Sequence, residues 1–249
     1  MSAPLARRSA PLLERRVLGP YVVLSTIDRL ARPRPGQFYM LATAERWGGG
    51  EGERPFLARA VSVMRTHEDG VIEFLLEDVG PGTKRLCELE AGQELTILGP
   101  FGNGFSASGS ETLLVGGGIG IAPLLELQDT WGGLALLGFR DAEHAEGARL
   151  FTDAVVATDD GSVGHRGLVT DLLDRELERA PTSIRACGPP ALLHAVKDRA
   201  RRHGVPAELA LEAPMACGFG ACYGCVVATV DGYKRVCLDG PVFEAAVLA

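Results

Sequence analysis

At 249 residues, 46% hydrophobic and 23% charged, the chain has a globular composition with room for two domains. Its net charge of −7 argues against a nucleic-acid surface, which wants a basic patch, and there is no apolar run long enough to span a membrane. Arg7, Arg8, Arg15 and Arg16 frame no apolar segment of a signal peptide, and six cysteines, four of them in a metal-like loop, suit a reducing cytosol; a cytoplasmic protein is expected.

Residues 1–11 read as loosely attached. From 12 to 108 the pattern is β. Val17–Ser25 supplies one or two strands, and Gln37–Leu41 follows the turn Pro35-Gly36. Ala60–Met64 and Val71–Leu76 flank a turn at His67–Gly70, and Glu94–Leu98 ends at Gly99-Pro100. Short strands with turn signals at this spacing predict a closed antiparallel barrel, with Gly48–Glu53 as a mobile loop. Two segments of it suit phosphate. Arg59-Ala60-Val61-Ser62 brings a guanidinium and a hydroxyl close together, and Gly80-Pro81-Gly82-Thr83 is a loop offering open backbone N–H groups and a hydroxyl. Taken singly, each also reads as a surface arginine or an ordinary loop. Arg54 competes with Arg59, which is preferred because the β pattern follows it directly.

Residues 109–212 alternate strands and helices, which predicts an α/β domain with a mostly parallel sheet. Thr112–Val115 is a short buried strand running into Gly116-Gly117-Gly118-Ile119-Gly120, and a helix follows with Pro123 in its first turn. Next come strands Leu134–Leu137 and Ala154–Thr158, helix 168–180, strand Ser183–Ala186 and helix Ala191–His203. A glycine-rich turn lets backbone approach a pyrophosphate at a helix N-terminus, which marks Gly117, Gly118 and Gly120; the run does not fit G-x-G-x-x-G and is weak alone. Cys187-Gly188-Pro189 is a second loop at a strand's C-terminal end, where open α/β sheets bind ligands.

The last module, 213–249, carries most of the chemistry. Cys217, Cys222, Cys225 and Cys237 have the spacing C-x4-C-x2-C-x11-C, which is the plant-type [2Fe–2S] pattern. Gly218, Gly220, Ala221 and Gly224 clear the side chains that would keep backbone N–H groups from the sulfurs. A zinc site usually shows two C-x2-C pairs and only one is present; structural zinc and unliganded thiols are the competing readings.

With Met215–Cys225 and Tyr233–Phe243 as the specific segments, and Pro35–Phe38, Leu98–Phe105 and Gly116–Pro123 in support, residues 15–245 resemble the ferredoxin–NADP reductase superfamily. Within it they are most similar to the electron-transfer subunits of class 1B dihydroorotate dehydrogenase. The resemblance implies a flavin-binding barrel, a nucleotide-binding α/β domain and a small [2Fe–2S] module. It places FAD on Arg59, Ala60, Val61, Ser62, Gly82 and Thr83, and on the strand segment Leu75, Leu76 and Glu77. Ala60 stands where proline is usual, which removes a fixed φ but no phosphate ligand. No catalytic residue is assigned.

The order of parts implies electron exchange between NAD, FAD, the cluster and a partner. By resemblance that partner is the FMN-containing catalytic subunit that oxidises dihydroorotate in pyrimidine biosynthesis, with two copies of each chain. No segment is left to build an organic-substrate domain, which also points to a partner. Arg140 is within reach of a 2′-phosphate, but Asp141 beside it would repel one, so NAD is expected over NADP. Two alternatives stay open: a related subunit of a transhydrogenase or sulfide dehydrogenase, and a zinc-stabilised binding module.

Overall fold

The structure, a computed structural model, describes residues 6–45, 57–107, 109, 111–179 and 181–249. The glycine-rich run 48–53 and Arg54 lie outside the described residues.

The first part is a closed barrel built from β1 (Arg8–Leu18), β2 (Tyr21–Ile27), β3 (Phe38–Thr43), β4 (Arg59–Thr66), β5 (Val71–Glu77) and β6 (Glu94–Phe101), with α1 (Pro81–Cys87) between β5 and β6. Every pairing in the order β1-β2-β5-β4-β3-β6 is antiparallel, and β6 returns to β1. Three expectations need correction. Residues 8–11 are not loosely attached: Arg8–Pro11 pair with Glu94–Ile97 and close the barrel. The Arg8 guanidinium pairs with buried Asp28 and donates to Gly99 O at 2.9 Å, while Tyr39 Oη donates to the same carboxylate at 2.9 Å. An arginine reads as solvent-facing until its partner is known. Next, β6 does not stop at Gly99-Pro100. It runs on to Phe101, which faces Phe38 across a register shift that absorbs the Gly-Pro step. Finally, Pro81-Gly82-Thr83 is not a loop but the first turn of α1, where proline's missing N–H costs nothing.

The second part holds β7 (Thr112–Gly117), α2 (Ala122–Trp131), β8 (Leu134–Phe139), α3 (Ala142–Ala145), β9 (Val155–Thr158), β10 (His165–Arg166), α4 (Val169–Leu177), β11 (Ser183–Cys187), α5 (Pro190–His203) and β12 (Ala207–Ala210). The last segment adds β13 (Val226–Thr229), β14 (Gly232–Arg235), α6 (Val236–Asp239) and β15 (Val242–Glu244). The sheet order is β10-β9-β8-β7-β11-β12-β15, parallel except for β15. The sense of winding reverses between β7 and β11, so the crevice above their C-terminal ends is the topological switch point. The glycine run leaves β7 there, and Cys187-Gly188-Pro189 leaves β11 beside it.

Burial ties the parts together. Tyr21, Val23, Met64 and Leu75 of the barrel share one core with Leu114, Ile121, Leu124 and Leu125 of the α/β part. Phe38, Met40 and Phe101 of the barrel share another with Cys225, Val236, Cys237 and Phe243. Each such leucine or phenylalanine contributes about 1.5–3 kcal/mol by leaving water. The cysteine segment is therefore not a free-standing appendage. Its β15 pairs antiparallel with β12, and Asn103 Nδ2 donates to Asp239 O at 3.1 Å and Val242 O at 3.0 Å.

Candidate functional site

Two clefts meet at the junction of barrel and sheet. The first, about 500 Å³, is lined by Arg59, Ala60, Val61 and Ser62 from β4, by Leu75, Leu76 and Glu77 from β5, and by Thr83 at the start of α1. These are the residues the sequence marked for flavin, and antiparallel pairing of β4 with β5 is what brings them together. Gly82 lies beneath them. A Cβ there would stand 2.3 Å from Arg59 Nε and 2.5 Å from Nη2, so the glycine is the seat of the guanidinium. That seat is what a phosphate-holding arginine requires, and the cleft fits FAD in this respect. Thr83 departs from expectation in detail: its hydroxyl donates to Gly80 O at 3.1 Å and accepts from Val79 N at 3.0 Å, closing the first turn of α1. We expect Gly82→Ala to displace the Arg59 side chain, lowering flavin retention on gel filtration while leaving the melting temperature within a few degrees. A melting temperature that falls steeply with retention unchanged would show that the glycine serves packing alone.

The second cleft, about 650 Å³, sits at the switch point and is lined by Gly117, Gly118, Gly120, Gly188 and Pro189, with Arg140 and Asp159 among its other residues. A Cβ on Gly120 would lie 2.6 Å from Gly188 Cα, so the two loops touch backbone to backbone and leave a bare floor for a dinucleotide. Cys187 is not part of that floor. It is buried in the core at 2% exposure, and burial pushes its thiol well above the usual range. Arg140 Nε lies 3.4 Å from Asp141 Oδ2, and Arg140 Nη2 lies 3.9 Å from Glu77 Oε1, so its charge is already answered by carboxylates.

Glu77, Ile119 and Glu212 line both clefts. Glu212 was missed at the level of sequence. Its surface opens into the clefts, and the protein packed around it pushes its carboxyl upward against the water that reaches it. Its one sequence signal was position, five residues before Cys217 and just after β12. His144 was missed too; its Nε2 is 3.4 Å from Glu77 Oε1 and its Nδ1 2.6 Å from Asp141 Oδ1, so it links nucleotide domain to barrel.

The four cysteines lie on one side of the barrel. Gly218 at φ 80° and Gly220 at φ 87° turn the loop back on itself, a conformation that favours glycine. Burial works against ionising Cys217, but N–H groups of Cys222, Phe219 and Ala221 together with the Cys222 thiol lower its thiol to about 6. Cys225 hydrogen-bonds Cys237, whose thiol burial and that neighbour push up to about 12, and Cys237 N donates to Cys225 Sγ at 3.4 Å. Among the described residues no three His, Cys, Asp or Glu side chains converge closely enough to share a single metal ion. Two pairs, Cys217 with Cys222 and Cys225 with Cys237, suit a cluster whose two irons each take two ligands. A zinc ion asks for four ligands at one point. Arg235, which the sequence did not single out, clamps the loop: Nη1 donates to Gly220 O at 3.1 Å and its guanidinium stacks 4.9 Å over the Tyr223 ring.

Residues 212–249 match the family described as the iron–sulfur cluster binding domain of dihydroorotate dehydrogenase B. Over longer stretches the chain is similar to proteins named dihydroorotate dehydrogenase B (NAD(+)), electron transfer subunit. That of Caldanaerobacter subterraneus subsp. tengcongensis is 38% identical over 223 residues, covering 86% of each chain. That of Bacillus caldolyticus is 39% identical over 229 residues, covering 85% of each. Among solved structures, one of an NADH-dependent reduced ferredoxin-NADP oxidoreductase, studied for flavin-based electron bifurcation, superposes with TM-score 0.80 at 26% identity, covering 96% of this chain and 89% of that one. A ferredoxin NADP+ reductase from Neisseria gonorrhoeae with bound FAD and NADP shares the fold at TM-score 0.62 and 19% identity, covering 80% and 92%. With relatives above 30% identity over most of its length, the chain belongs to the family of electron transfer subunits of dihydroorotate dehydrogenase B (NAD(+)).

Proposed function

We propose that the barrel cleft holds FAD, the switch-point cleft holds NAD(H), and Cys217, Cys222, Cys225 and Cys237 hold a [2Fe–2S] cluster, so that the chain exchanges electrons between NAD and the FMN-containing catalytic subunit of a cytosolic complex with two copies of each chain. The observation that carries this reading is the meeting of the two clefts at Glu77, Ile119 and Glu212: a ligand in one abuts a ligand in the other. Bound FAD supplies two-electron exchange with the nicotinamide and single-electron release, and the cluster carries one electron at a time.

The residues have distinct tasks. Arg59, seated on Gly82, and Ser62 hold a flavin phosphate by charge-assisted and hydroxyl hydrogen bonds. The bare floor of Gly117, Gly118, Gly120 and Gly188 admits the dinucleotide backbone. Carboxylates of Asp141 and Glu77 neutralise Arg140, and Asp159 lines the same cleft, so a 2′-phosphate meets net negative charge; this supports NAD over NADP. Arg235 holds the cysteine loop closed. Among the described residues no helix is long and apolar enough to cross a membrane.

The test is reconstitution. Purified anaerobically, the chain alone is expected to show flavin and iron–sulfur absorbance and to oxidise NADH with an artificial acceptor, without turning over dihydroorotate. With the FMN subunit added, dihydroorotate oxidation becomes coupled to NAD reduction. Dihydroorotate turnover by this chain alone, or no coupling in the reconstituted complex, sinks the assignment. The 26% likeness to the ferredoxin-NADP oxidoreductase chain favours a transhydrogenase-type subunit as the second reading, which gains support if coupling appears with such a partner instead.

A further inference from the structure

We propose that Phe38, Leu211, Ala213 and Met215 form an apolar partition one side chain thick between the flavin cleft and the cysteine core, and that Phe38 is the positioning residue that sets electron transfer across it. This rests on the cofactor reading above. The four residues have two faces. Each lines the barrel cleft together with Arg59, Ser62 and Leu75. Each also packs in the apolar core that contains Cys225 and Cys237. The four side chains are all apolar, and Glu212, between Leu211 and Ala213, lines the cleft beside them.

Phe38 is its best-anchored member. It is 3% exposed and projects from β3, where it pairs with Ser62 on one side and Phe101 on the other. The Phe101 ring backs it at 5.8 Å between centroids, and Phe219 of the cysteine loop lies 6.3 Å beyond Phe101. The loop is pressed against the same strand: a Cβ on Gly218 would stand 2.6 Å from Met40 Cγ. The cysteine pairs are also polarised. Cys225 and Cys237, at 3% and 1% exposure, lie on the partition side. Cys222 is exposed, Cys217 is half-buried, and the neighbouring Phe219 and Tyr223 reach solvent. An electron thus has a buried side to enter and an open side to leave.

Each hydride from NADH would bring two electrons, which would cross the partition one at a time, the first passing on to the partner subunit before the second follows, while the hydride's proton goes to water in the cleft; NAD reduction would run the same steps in reverse. Close packing of the partition would hold a bound donor and acceptor at one fixed separation. Exclusion of water also matters to the cluster, because solvent exposure sets its potential. With four thiolate ligands the reduced cluster carries more negative charge than the oxidised one, so water reaching it raises the potential.

The experiment compares Phe38→Ala and the milder Phe38→Leu with the unsubstituted full chain, each assayed for flavin, iron and sulfide before use. Rapid mixing with NADH separates two signals, bleaching of the flavin and the paramagnetic signal of the reduced cluster. Removing the ring leaves a void that lets the wall relax and admits water, so the separation it held is free to change. We therefore expect cluster reduction to lag flavin bleaching several-fold in Phe38→Ala and by less in Phe38→Leu, with the cluster potential shifted upward in a redox titration. A role in folding alone would lower cofactor content without opening a lag or moving the potential of the loaded fraction. Should Phe38→Ala fail to load, Phe38→Leu decides by the same two readouts. Cluster reduction keeping pace with flavin bleaching at full loading and unchanged potential overturns the partition. An unsubstituted chain that binds no iron and sulfide overturns the cofactor reading itself.

Discussion

Cys222→Ser is expected to strip the protein of iron and acid-labile sulfide while leaving FAD bound. The thiolate holds iron, and a serine hydroxyl does not ionise in the same range, so one ligand of four is lost. Cys222 is exposed; its sulfur accepts from Gly224 N at 3.4 Å and meets the Cys217 thiol, so its loss disturbs the loop and not the core. Flavin should survive because Arg59, Ser62 and Thr83 stand on β4 and α1, whose barrel core contains none of the four cysteines. The reasoning is narrower for Cys237, which is packed against Phe38, Met40 and Phe101; there a substitution disturbs the cleft wall as well. Cys87→Ser is the control: Cys87 is buried in the barrel core, burial pushes its thiol up to about 11, and both cofactors should stay. The measurement is iron, sulfide and flavin per chain. Normal iron and sulfide in Cys222→Ser would defeat the ligand assignment.

The second large effect concerns Arg59. Burial lowers its pKa slightly from the free value, yet a guanidinium remains charged at any working pH. Besides its seat on Gly82, its Nη1 donates to Leu57 O at 2.5 Å, which fixes the direction of the fork. A charge-assisted bond from it to a flavin phosphate is worth roughly 1.5–3 kcal/mol. Arg59→Ala should then weaken FAD about 10- to 150-fold, read by titrating flavin into the deflavinated protein. Should Arg59→Ala retain flavin fully while Arg54→Ala loses it, the phosphate partner is Arg54 instead.

Much of this architecture was legible in the chain, for a local reason. A strand buried in a sheet core must be a short apolar run, as 112–115 is; a turn against phosphate favours positions without side chains, as at Gly116, Gly117, Gly118 and Gly120; a cluster loop must space its thiols, as 217–225 does. These are demands that each segment meets by itself, so each leaves its mark in neighbouring residues. Helices α4 and α5 were foreseen to within a few residues on the same grounds, and α2 by its start at Pro123.

What only the tertiary structure decided are relations between distant segments. Arg8 belongs to a strand because Asp28 and Gly99 wait for its charge. The three residues of β15 are too few for a period, and only the open edge of β12 makes them a strand. Glu212 stands between two clefts, and Phe38 turns one face to the flavin cleft and the other to the cysteines, because barrel, sheet and loop close on one another. Each of these depends on a partner more than a dozen positions away, brought near by barrel closure and sheet order. Residue type and spacing record what a segment needs locally; they hold no record of which remote surface will satisfy it.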